Sequence, residues 1–152
     1  MSEAMITMTA GARPPAPRLE VPIEPRELAE TILRIALEKK ASEPVIMEVG
    51  ELVGYADYFV IVSAKNPRQV KAIADDVRAV LKKDQNLIPV GTEGTETGKW
   101  VLVDYDDVVL HVFLEGTRGY YDLESLWAHA PRLPIPEGLV VEPDRSAMFQ
   151  FT

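Results

Sequence analysis

Two apolar runs, Trp100–Val103 and Val108–Leu114, stand on either side of the polar tetrapeptide Asp104-Tyr105-Asp106-Asp107. Val-rich runs of this length bounded by Asp form strands joined by a tight turn. The stretch therefore predicts a buried β-hairpin. Tyr120-Tyr121-Asp122-Leu123-Glu124-Ser125-Leu126-Trp127, acidic and aromatic with helical spacing, predicts a short helix across one end of it. Alternation puts Trp100, Leu102 and Asp104 on one face of the first strand, and His111 and Phe113 on one face of the second. If the turn pairs residue 105 with 108, His111 stands opposite Leu102 and diagonal to Asp104, within reach of an Asp104–His111 hydrogen bond.

The rest of the chain must cover this hairpin. Leu28, Ala29, Ile32, Ile35 and Ala36 recur at helical steps, which predicts an amphipathic helix over about 25–40 with Pro25 in its first turn. Val45–Val49 is a strand candidate and Gly50–Gly54 a loop. Asp57–Ser63 is apolar without alternation, as in a strand buried on both faces in mid-sheet. Asn66, Pro67 and Gln69 form a helix start, and Val70, Ile73, Ala74, Val77 and Leu81 form the buried stripe of a helix over 67–83. Leu87–Val90 can be a short edge strand, because Pro89 lacks an N–H, and Gly91–Gly98 a mobile loop. A helix between two strands is a crossover, so the strands at 57–63 and 87–90 are expected to run parallel. The expected fold is α/β: a mixed sheet of about five strands with flanking helices.

Prolines concentrate at the ends of the chain, at Pro14, Pro15, Pro17, Pro22 and Pro25 and again at Pro131, Pro134, Pro136 and Pro143. They divide it into a disordered Pro-rich extension over 1–25, a domain over 26–130 and a Pro-rich tail over 131–152. Phe149 and Phe151 in that tail could dock on the domain. No apolar run approaches the length of a membrane span and the N-terminus lacks a signal pattern, so a cytoplasmic protein without membrane contact is expected. The chain has no cysteine, which removes disulfides, thiolate zinc sites and thiol nucleophiles together.

A net charge of −8 opposes general nucleic-acid coating and is better matched to a basic partner. The one basic region is 65–83, where Lys65, Arg68, Lys71, Arg78, Lys82 and Lys83 outnumber Asp75 and Asp76. Such a face is usually just solvated; contact with RNA phosphate is the minority reading. Gly91, Gly94 and Gly98 fit neither a P-loop nor G-x-G-x-x-G, so no nucleotide cofactor is expected. Asp104, Asp106 and Asp107 could hold Mg²⁺, as in a nucleotidyltransferase-like enzyme, but three Asp at a turn need no metal to explain them. Two isolated histidines do not make a metal centre. Trp100, Tyr120 and Tyr121 remain, either as core or as anchors for a protein partner.

Taken in order, Ala56–Ser63, Arg68-Gln69, Ala72–Asp75, Glu93-Gly94, Trp100–Asp104, Asp107–Phe113, Arg118 and Tyr121–Trp127 resemble the ribosomal silencing factor family, also called RsfS or Iojap-like. The match covers about 26–130. The resemblance implies a translation repressor with no enzymatic activity and no cofactor. It implies binding to the subunit-joining face of the large ribosomal subunit through a basic protein, the fourteenth in the bacterial naming. The bound factor would block the small subunit and lower translation when nutrients are scarce. The implied fold is nucleotidyltransferase-like without a working active site, and some family members are homodimers. Trp100 and Tyr121 match the family's contact residues; Asp104, Tyr120 and Glu124 belong to the adjoining strand and acidic segment. Asp106 stands where the family often has Gly, so a different turn geometry is expected there.

Overall fold

A computed structural model describes residues 23–136. The rest of the proposed extension and tail, with Phe149 and Phe151, lies outside the described residues. The elements are α1 (Pro25–Glu38), β1 (Ser42–Glu48), α2 (Gly50–Val53), β2 (Tyr58–Ala64), α3 (Pro67–Gln85), β3 (Gly91–Glu93), β4 (Trp100–Asp104), β5 (Val108–Leu114), α4 (Glu115–Tyr121), α5 (Leu123–Leu126) and β6 (Arg132–Leu133).

The strands form one mixed sheet of six, in the order β3-β4-β5-β2-β1-β6. Only β2 and β5 pair in parallel; the other neighbours are antiparallel. The count exceeds the expected five because β6 adds to β1 through Ile46–Leu133 and Met47–Arg132. Two residues are too few to show a strand period in sequence.

Local chemistry shaped α3 as expected. The Asn66 side chain accepts from Gln69 N at 2.8 Å, with Pro67 in the first turn. The Gln69 side chain accepts from Lys65 N and donates to the carbonyls of Lys39 and Lys40, tying the start of α3 to the end of α1. The helix runs to Gln85, where Asn86 turns left-handed and Leu87 N closes on Leu81 O.

The parallel direction expected across the α3 crossover is found, without direct pairing of the two strands. β3 does run in the direction of β2, but β4 and β5 stand between them. β5 is buried along six of its seven residues and needs cover on both faces and both edges. β3 has only three residues and suits an edge. The short strand also lies later than expected, at 91–93 in the presumed loop. Pro89 cannot donate, Ile88 is exposed, and pairing starts where Val90 N donates to Asp104 O.

Alternation divides the sheet residues between two clusters. Val60, Val62, Val101, Val103, Leu110 and Val112 face α1 and α3. Phe59, Ile61, Leu102, Val109 and Phe113 face the other way, against Val49, Ala56 and Leu123 from short connecting elements. The helix layer therefore covers one face, and the second face is closed only by short segments.

Candidate functional site

The second face carries an aromatic band that runs from the interior to the surface. Trp100 pairs across the hairpin with Phe113, and the two rings stack with centroids 4.8 Å apart at 26°. Tyr121, the last residue of α4, lies 4.9 Å from the same indole. Tyr120 stands edge-on to Tyr121 at 5.1 Å. Exposure rises along this series: Trp100 is half-buried, Tyr121 is 54% exposed and Tyr120 is 83% exposed. Such ring pairs add about 0.5–1.5 kcal/mol each beyond the area they bury.

His111 underlies the band. It is fully buried, 4.7 Å from Phe59 in an edge-on contact, and burial lowers its pKa to about 3. The Trp100 indole N–H donates to His111 Nδ1 at 3.1 Å. Since indole nitrogen is only a donor, Nδ1 must be the bare nitrogen and Nε2 the protonated one. Nε2 is buried without a partner among the described residues. An unmet buried donor costs about 1–3 kcal/mol. The hydrogen bond considered between Asp104 and His111 is not formed: Nδ1 accepts from Trp100, and Nε2 has no partner among the described residues.

The hairpin register is the expected one, with Leu102 opposite His111 and Tyr105 N donating to Val108 O. Asp106 adopts φ 73, a conformation glycine takes more easily, and its N–H donates to Asp104 Oδ1 at 2.7 Å. That local bond explains how Asp serves at this turn.

Of the five candidate contact residues, the structure brings Trp100, Tyr121 and Tyr120 together. Asp104 shares their face but lies four residues along β4, about 13 Å away at strand spacing. It is 7% exposed, and its carboxylate supports the turn. Glu124 is drawn into the fold by Arg118, whose Nε donates to its Oε1 at 2.8 Å, with Arg132 at 3.7 Å from the other oxygen. Arg118 Nη1 also donates to Glu43 O at 2.7 Å and Ser63 Oγ at 2.8 Å. This buried guanidinium ties α4 and α5 to β1 and β2, and the expected single helix over 120–127 is instead two short ones meeting at Asp122, φ 47. Hydrophobic spacing had no signal for it. Leu126, 56% exposed, is an apolar residue on the same short segment that the sequence pattern assigned no role.

Among the described residues, no three His, Asp or Glu side chains are grouped to hold a metal ion. The Mg²⁺ reading of Asp104, Asp106 and Asp107 thus has no geometric support. The basic face of α3 lies across the sheet from the aromatic band. One of its cations, Arg78, lies 3.8 Å from Asp75, and Asp76 of the same helix lies 3.9 Å from Lys39 at the end of α1. No helix among the described residues is long and apolar enough to cross a membrane.

Residues 22–150 match the family described as "Ribosomal silencing factor during starvation". The ribosomal silencing factor RsfS of Halalkalibacterium halodurans is 36% identical over 115 residues, 76% of this chain and 97% of that one. A crystal structure of a Chromobacterium violaceum protein superposes with a TM-score of 0.67 at 35% identity, covering 70% of this chain and 88% of that one. A more distant relative, 29% identical over 100 residues, is the mouse mitochondrial assembly of ribosomal large subunit protein 1; the match spans 64% of this chain and 44% of that one.

Proposed function

The chain belongs to the ribosomal silencing factor family, a family of non-enzymatic regulators, and on that premise we propose that it silences ribosomes by docking its aromatic band on the large subunit. The mouse relative's name associates that protein with the large ribosomal subunit. In this reading the partner is a basic large-subunit protein at the subunit-joining face, the fourteenth in the bacterial naming. The bound factor excludes the small subunit sterically. Trp100, Tyr121 and Tyr120 are the anchors, while Asp104 and Glu124 hold the supporting backbone in shape. The protein acts where its ribosomes are, in the cytoplasm.

One observation carries the reading. Three contiguous aromatic rings grade from half-buried to 83% exposed on the sheet face that the long helices leave open. Large aromatic side chains of this kind are the usual energetic centres of protein interfaces. The chain's charge of −8 favours a basic partner.

The test is Trp100→Ala and Tyr121→Ala, made singly and assayed by cosedimentation with isolated large subunits and by subunit reassociation. Each is expected to weaken binding by about tenfold or more, about 1.4–2 kcal/mol, and to restore joining of the small subunit. Folded variants that bind and block like the parent would sink the reading. Sedimentation velocity on the free protein examines self-association as well. A dimer abolished by Trp100→Ala would assign these rings to a contact between copies of this chain.

A further inference from the structure

We propose that His111 is the positioning residue of the Trp100 anchor, holding the indole N–H from inside the sheet and so fixing the ring's orientation on the docking surface. The inference rests on the reading of Trp100 as an anchor.

Three groups surround the indole. Phe113 stacks on it at 26° and Tyr121 leans on it at 48°. Stacking contacts restrain the plane of a ring, but they discriminate weakly between its two flipped orientations about χ2, where side-chain torsion is broad. A hydrogen bond is directional and selects one of them. His111 supplies that bond at 3.1 Å, from a position diagonal to Trp100 on the neighbouring strand. The bonded orientation turns the N–H edge of the indole inward. The opposite edge of this half-buried side chain then meets the partner.

The chemistry of residue 111 supports the same assignment. Its Nε2 is buried without a partner among the described residues, and its ring packs edge-on against Phe59. A phenyl ring would fill such a place without burying an unmet donor. What the imidazole adds over a phenyl ring is the acceptor at Nδ1, and the group that uses it is the anchor.

The experiment has one arm on the parent protein and two on variants. In ¹⁵N-labelled protein, the N–N scalar coupling across the hydrogen bond between Trp100 Nε1 and His111 Nδ1 is measured. Trp127 serves as the internal reference, since its Nε1 has no partner among the described residues. Coupling at Trp100 alone is expected, and its absence overturns the proposal. His111→Phe removes the acceptor, and His111→Asn returns one near the place of Nδ1. Affinity for isolated large subunits is expected to fall about three- to tenfold in His111→Phe, the effect of leaving one interface side chain unfixed, and to recover in His111→Asn. Should His111→Phe fail to fold, benzothienylalanine at position 100 deletes the N–H from the other side, with the same loss expected. If either folded protein lacking the bond binds as tightly as the parent while Trp100→Ala does not, His111 has no positioning role. If Trp100→Ala itself binds normally, it is the anchor reading that falls, and this inference falls with it.

Discussion

Arg118 and Glu124 are joined by a 2.8 Å bond from guanidinium Nε to carboxylate Oε1, across the left-handed Asp122 that divides α4 from α5. The Arg118 side chain is 9% exposed and reaches elements more than fifty residues earlier in the chain, at Glu43 and Ser63. Removing it takes the donor from the Ser63 hydroxyl and the Glu43 carbonyl and leaves Glu124 with Arg132 at 3.7 Å. Arg118→Met is expected to cost about 3–5 kcal/mol in urea unfolding, as breaking a buried pair does. Glu124→Gln keeps an acceptor for Nε and should cost less, about 1–2 kcal/mol. Equal losses would show that the pair does not organise this corner.

His111 makes stability fall in mild acid. Its pKa is lowered from 6.5 to about 3 by burial, so between those values the unfolded chain binds a proton that the folded chain refuses. Stability is therefore greatest above pH 6.5 and is lost as pH falls below it, by up to about 1.4 kcal/mol per unit. Between pH 7 and pH 5 the expected loss from this group is about 2 kcal/mol. Chemical denaturation at several pH values should show that slope in the parent and a flatter one in His111→Asn.

Gly94 seats the loop that leads into Trp100. It has φ 88, and a Cβ placed there would run into the Trp100 carbonyl oxygen. Gly94→Ala should destabilise by at least about 2 kcal/mol, from left-handed strain plus the clash. Tryptophan emission should change, because the displaced group is the Trp100 backbone. Gly91→Ala is the control: a Cβ there meets nothing within 4 Å, and its melting point should stay near the parent's.

The basic face of α3 is across the sheet from the aromatic band, so charge reversal there should leave docking nearly intact. Arg68→Glu, Lys71→Glu and Arg78→Glu combined are expected to change large-subunit cosedimentation by less than about threefold at moderate salt, where exposed charges are screened. A collapse of binding with a steep salt dependence would instead establish RNA phosphate contact through this helix.

The sequence by itself determined what neighbouring residues settle among themselves. Asn66, Pro67 and Gln69 start α3 through bonds spanning at most four residues. The hairpin register follows from alternation and from the Asp104 side chain that holds the backbone of Asp106. Even the graded aromatics were legible as a choice between core and anchor. Only the tertiary structure placed the rings, leaving Trp100 half-buried and Tyr121 exposed beside it. It also decided that β2 pairs with β5 rather than β3, that Glu124 turns inward to Arg118, and that His111 serves Trp100 rather than Asp104. These outcomes depend on groups brought together from distant parts of the chain, each with more than one chemically acceptable partner. Composition and spacing identify the candidates, but only packing, which buries one pairing and leaves another exposed, selects between them.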